Sequence, residues 1–169
     1  MEVSDYTIRK KLISIGRDYK IEDEQGNVVY QIDGKVRFAR TFSVADRERN
    51  LLFLVREKLL CIDALFLIKR NGQEIARVCR RSYRDQPDVK FDIEIAGGRP
   101  MKATGTFFRE EGIRITDSGG VASFIRKKEY TAVQEIYSLY IESSEDQSLM
   151  IAIAMCIAEM APARDNDHT

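Results

Sequence analysis

A closed antiparallel β-sheet wrapped around one buried C-terminal α-helix is the fold class this sequence predicts: mainly β, with a single helix. Three observations predict it. Apolar and polar residues alternate with a period of two through most of the chain, turn-forming residues separate the alternating segments, and one late stretch is apolar on every side. The length of 169 residues, with 44% hydrophobic and 32% charged side chains, suits one compact domain that needs no disulfide or metal to hold it. That domain is expected over residues 1–162, with a disordered tail at 163–169.

In chain order, Val28, Tyr30 and Ile32 point one way while Val29, Gln31 and Asp33 point the other, and Gln25, Gly26 and Asn27 supply the turn before them. Asp46 to Asn50 reads either as a short turn of helix or as a loop. Asn71-Gly72, set between the strands of a hairpin over 65–78, is a strong type I′ turn signal. Phe91, Ile93 and Ile95 alternate with Lys90, Asp92 and Glu94. Further strands are expected from Met101 to Phe108, Gly112 to Asp117, Val121 to Lys127 and Val133 to Glu142, with Gly97-Gly98, Glu111-Gly112 and Ser118-Gly119-Gly120 as punctuation. Because almost nothing before residue 145 has a sustained helical period, parallel βαβ units are excluded and an antiparallel meander follows.

The segment DQSLMIAIAMCIAEM, residues 146–160, is built of strong helix formers, and from Leu149 to Ala158 it carries no polar side chain beyond the Cys156 thiol. A helix apolar all round must be enclosed on all sides. Ala152, Ala154 and Ala158 keep it thin, Glu145 and Asp146 suit its N-terminus, and Pro162 suits its stop. Closing the sheet around this helix buries both inner surfaces and removes sheet edges. The apolar run is about half of the roughly 20 residues a membrane span requires, so no transmembrane segment is expected.

The chemistry on offer is narrow. The sole histidine, His168, falls in the expected tail, which removes the usual general base of Ser-His-Asp and Cys-His designs. Cys61, Cys79 and Cys156 show no metal-ligand spacing and read as small core residues in a reducing compartment. Glu110-Glu111 and the group Asp85, Asp88, Asp92 and Glu94 read as solvated turn and strand carboxylates. Gly97-Gly98 and Gly119-Gly120 lack a phosphate-loop context. No catalytic residue, cofactor site or metal site is assigned. With 27 basic against 27 acidic residues and a pI near 6.6, nucleic acid is not an expected partner.

Three stretches resemble one known family. They are YKIEDEQGNVVYQIDGKV from Tyr19 to Val36, the Leu65-to-Val78 hairpin containing RNGQEI, and YSLYIE from Tyr137 to Glu142 leading into the apolar helix. Together with the order of elements from about Tyr6 to Met160, they are similar to the LURP-one-related family. The resemblance implies a tubby-like barrel of about twelve strands around a central helix, shared with phospholipid scramblases. Tubby domains bind phosphoinositides at a basic surface, so an anionic phospholipid headgroup is the ligand class the resemblance implies.

The charge pattern permits such a ligand. Residues 1–84 hold 18 basic and 12 acidic groups, and residues 85–169 hold 9 and 15, so a neutral total conceals a split. The candidate anion-binding clusters are Arg9-Lys10-Lys11, Arg80-Arg81 with Arg84, and Arg126-Lys127-Lys128. The functional expectation is therefore a non-enzymatic, cytoplasmic, monomeric binding module, peripheral at a membrane when it engages anionic phospholipid. The alternative expectation is a protein-interaction scaffold whose partner patch uses outward aromatics such as Phe108 or Tyr140.

Overall fold

A computed structural model describes residues 2–11, 18–36, 39–59, 62–81, 88–107, 109–131 and 133–161 of the chain. Twelve strands and one helix make up this part: β1 (Val3–Lys11), β2 (Tyr19–Glu22), β3 (Val28–Val36), β4 (Arg40–Asp46), β5 (Leu51–Glu57), β6 (Leu65–Arg70), β7 (Gln73–Arg80), β8 (Val89–Ile95), β9 (Met101–Gly105), β10 (Ile113–Asp117), β11 (Gly120–Tyr130), β12 (Gln134–Glu142) and α1 (Gln147–Met160). Every strand pairs antiparallel with the next, and β12 pairs back on β1 from Val3↔Glu142 to Lys11↔Gln134, which closes the barrel. The odd-numbered strands therefore all run toward one end, and the even-numbered strands return from it.

Inward positions of the strands carry the core, including the fully buried Phe53, Phe66, Phe91, Ile21, Ile68 and Ile113. They pack on α1, which is buried from Leu149 to Ile157. A fully buried aliphatic side chain contributes about 1.5–3 kcal/mol, so an apolar helix inside an apolar-lined sheet is where this sequence hides most of its surface. Asp146 is the N-cap, its carboxylate accepting from the Leu149 amide at 3.1 Å. The helix stops at Met160 because Ala161 is extended, at φ −65 and ψ 142, as the residue before a proline should be.

Asn71 and Gly72 both have positive φ, 51° and 78°, as the type I′ turn requires. Asp46 to Asn50 is a turn, not helix: Asp46 and Asn50 bond through their backbones at 3.1 Å, the Asp46 carboxylate accepts from the Asn50 amide at 2.9 Å, and Arg49 takes φ 65°. Asp23 to Asn27 repeats the device, with Gly26 in the fourth position. β9 ends at Gly105, short of the expected Phe108, because a turn begins there. A Cβ on Gly105 would lie 2.1 Å from the Gly112 carbonyl oxygen, so two glycines let this turn close. β11 runs on to Tyr130, beyond the expected Lys127, through a bulge at Lys128 that keeps it paired with β12. Phe108, Cys61 and the tail at 163–169 lie outside the described residues.

Candidate functional site

Strand direction decides where the cations go. Lys10 and Lys11 end β1, Lys35 nearly ends β3, Arg56 and Lys58 end β5, Arg80 and Arg81 end β7, and Lys127 and Lys128 lie near the end of β11. All are odd-numbered strands, so Lys10 and Lys11, Arg80 and Arg81, and Lys127 and Lys128, members of the three sequence clusters, share one rim of the barrel. This is the end where α1 terminates, since Arg40 and Arg80 reach the carbonyls of Glu159 and Met160 there. The opposite rim, around the N-terminus of α1, gathers Asp23, Asp46, Asp117, Glu142, Glu145 and Asp146 on the connections between even and odd strands. Acids at the helix N-terminus and bases at its C-terminus oppose the helix macrodipole at both ends. This difference between the ends is separate from the charge split along the sequence, which falls on the two sides of the barrel, β1–β7 and β8–β12. The acidic rim also holds Arg47, Arg70 and Arg99, each ion-paired there.

Part of the basic rim is engaged internally. Arg40 holds Glu57 through two bonds, at 3.0 and 2.9 Å, stacks over Phe66 at 5.0 Å, and donates to the Glu159 carbonyl at 2.5 Å. The bond to Glu57 raises its already high pKa further. Arg80 donates to the Met160 carbonyl at 3.0 Å. The Tyr19 hydroxyl donates to the Glu159 carboxylate, and the Lys10 ammonium lies 5.4 Å from the Tyr19 ring centroid. Lys127 is 3.6 Å from Glu135 and 5.7 Å from the Tyr137 ring centroid. Arg81 bridges Asp92 at 3.0 Å and Asp63 at 2.8 Å, and these bonds, Asp92 first, raise its pKa. Arg9 leans back along the wall to Glu22 at 3.0 Å. Arg126 lies lower on the outer wall, donating to the Tyr140 hydroxyl at 3.3 Å.

Other cations stay open. Among the described residues, Lys11, Lys35, Arg56, Lys58 and Lys128 are exposed and form no ion pair or side-chain hydrogen bond. Arg84 lies outside the described residues. Lys35, Arg56 and Lys58 each stand singly in the sequence, so no run of basic residues singles them out. A usable signal was nonetheless present: LLFLVRE in β5 is apolar on both alternating faces, where a half-buried strand should have one polar face. Its inward face holds Phe53 and Val55, while Leu54, 44% exposed, and Arg56 face outward.

Together these residues form a shallow outer groove of about 530 Å³ running to the basic rim, lined by Lys35 on β3, Thr41 and Ser43 on β4, Leu54 and Arg56 on β5, and Leu59 beyond it. Asp33 is the carboxylate in its lining. Two cations, two hydroxyls and two leucines can bind an anionic headgroup and the apolar atoms attached to it. Cys156, enclosed on α1 and absent from this lining, offers no thiol chemistry, because complete burial raises its pKa well above the ordinary value. Among the described residues no group of three or more His, Cys, Asp or Glu could hold a metal ion.

On the far wall, Phe124 and Tyr140 stack across β11 and β12 at 4.3 Å and 18°. Arg126 lies over Tyr140, 5.6 Å from its centroid. Tyr140 faces outward as expected, though it is partly covered by these neighbours.

The X-ray structure of a protein from Arabidopsis thaliana shares the fold, with a TM-score of 0.67 over 93% of this chain and 90% of that one at 13% identity. No curated protein matches the sequence. A family model described as LURP-one-related matches residues 4–158. That match begins in β1 and ends in the last turn of α1, so it takes in the barrel and the helix it encloses: the chain belongs to the LURP-one-related family.

Proposed function

We propose that this domain is a non-enzymatic binding module that recognises anionic phospholipid headgroups through its basic rim, acting peripherally at a membrane surface. The observation that carries the reading is the convergence of open cations, with Lys35 and Arg56 flanking Leu54 and Leu59 in one groove. An anionic leaflet attracts each nearby cation by about 1 kcal/mol. Two together shift an equilibrium roughly thirtyfold. Flotation with phosphatidylcholine vesicles, with and without phosphatidylserine, tests it. The protein should float only with the anionic vesicles, detach as salt is raised, and lose at least thirtyfold in affinity in the Lys35→Glu/Arg56→Glu variant. Flotation that ignores lipid charge, or ignores these two substitutions, overturns the reading.

A protein-interaction scaffold is the second reading, favoured by the outward Phe124–Tyr140 stack. A partner captured there should persist at high salt and be lost in Tyr140→Ala, with the lysine and arginine variants unaffected.

A further inference from the structure

We infer that Leu59 and Ile62, between β5 and β6, insert their side chains into the acyl boundary of an anionic bilayer, so that the module docks with the C-terminal end of α1 toward the membrane. The inference rests on the phospholipid reading above and adds to it an insertion tip and a fixed orientation.

Ile62 has a relative exposure of 106%, so none of the described residues covers it, and Leu59 is 50% exposed. Connections in antiparallel barrels favour Gly, Asn, Asp, Ser and Pro. Large aliphatic side chains at such a tip, with Lys58 beside them and Arg56 behind, are the pattern of a segment whose apolar end is buried elsewhere.

The base of the connection is held firmly. The Lys58 amide donates to the Leu65 carbonyl at 2.9 Å, the Arg80 amide donates to the Ala64 carbonyl at 2.9 Å, and Arg81 bridges to Asp63 at 2.8 Å. A tip on a fixed base can penetrate without unfolding the strands behind it.

Charge selects the partner and the orientation. Exposed aliphatics occur at the other rim too, at Val3, Leu51 and Val121, but there Arg47, Arg70 and Arg99 are ion-paired with Glu48, Asp146, Asp117 and Glu145. Arg49 stands there among Asp46 and Glu48, so the rim offers an anionic surface little net attraction. Only the rim where α1 ends pairs exposed aliphatics with Lys35, Arg56 and Lys58. A second copy of the chain or a neutral apolar protein patch gives these cations no counter-charge; an anionic leaflet answers both features at once.

The chain has no tryptophan, so Ile62→Trp and, separately, Leu51→Trp each install a single emitter, at opposite ends of β5. Each full-length variant is mixed with phosphatidylserine-containing vesicles whose acyl chains are brominated near the glycerol. Emission from Ile62→Trp should be quenched, as expected for a side chain about 5–10 Å into the boundary, and emission from Leu51→Trp should not. Ile62→Ser, at a site where the fold loses no contact, should keep the wild-type unfolding midpoint and lower vesicle affinity about tenfold. Flotation without quenching, or with Ile62→Ser as tight as wild type, overturns insertion and leaves the headgroup reading in place. Equal quenching of both emitters overturns the orientation. Absence of wild-type flotation overturns the inference together with the reading beneath it.

Discussion

Arg80 belongs to a sequence cluster marked as an anion site, yet the structure gives it a partner inside the protein, and the two roles separate in one experiment. An α-helix leaves its last four carbonyls without helical donors. In α1 the Ile157 carbonyl accepts from the Ala161 amide at 2.9 Å, that of Glu159 from Arg40, and that of Met160 from Arg80 at 3.0 Å. Arg80→Met keeps most of the aliphatic stem but removes the guanidinium. A charge-assisted bond of this kind contributes about 1.5–3 kcal/mol, and a cation at a helix C-terminus adds roughly 0.3–1 kcal/mol. Some of this is returned by water at a partly exposed site, so about 1–3 kcal/mol is expected. For a domain of this size that lowers the thermal midpoint by roughly 2–12 °C. Urea unfolding should show the loss as a lower midpoint at unchanged slope. Lys128→Met, at an open lysine, should stay within about 0.5 kcal/mol of wild type. An Arg80→Met protein as stable as Lys128→Met would mean that Arg80 is a free surface cation and that the helix end is held by other means.

Two further perturbations test the core and a turn. Ala154 is fully buried on α1, so Ala154→Trp overpacks an enclosed cylinder and should cost about 1–3 kcal/mol or more in urea; tolerance within 0.5 kcal/mol would refute enclosure. Asp23 accepts backbone bonds from Asn27 at 2.9 Å and Gln25 at 3.0 Å, and these, Asn27 first, lower its folded pKa below the ordinary 3.8. A depressed carboxylate stabilises fully above its unfolded pKa and loses that contribution as pH falls through the folded value. The difference in urea midpoint between wild type and Asp23→Ala should therefore be constant near neutrality and shrink below pH 3.8; a gap unchanged into strong acid would show that the ionised carboxylate is not what the turn uses.

The architecture was legible because its signals are local. Alternation over Val28–Asp33, the Asn71-Gly72 pair, and ten residues from Leu149 to Ala158 with no strongly polar side chain each report a conformation within a few positions of themselves. The rim was not legible in the same way. Whether Lys10, Lys35, Arg56 and Lys128 share an end depends on the parity of the strands that carry them, which requires all twelve strands to be counted correctly. Bulges at Ala122, Lys128 and Ile75 also shift register without changing composition. Nor can composition tell a cation engaged with helix carbonyls, such as Arg80, from one left open, such as Lys58. Asp46 to Asn50 fell between two readings because its side-chain and backbone bonds close a five-residue turn with Arg49 in a left-handed conformation, a place more often filled by glycine, as Gly26 fills it in the matching turn.

The seam between β1 and β12 sets the order in which this protein can be born. Of the twelve strands β1 is made first, with β2 on one side, but its other partner β12, nine residues long, is made last. At roughly 5–20 residues per second, β1 waits on the order of ten seconds with one row of backbone groups unpaired. The helix that fills the interior is synthesised later still, so the incomplete sheet must hold its apolar face open until the filling arrives. Such a chain folds slowly, through contacts remote in sequence, and is vulnerable to strand exchange with its neighbours on the polysome. A circular permutant opened at Asn71-Gly72 would bring β12 and β1 into one continuous stretch but make β7 the first strand and β6 the last, so the wait moves to that seam and the finished barrel stays the same.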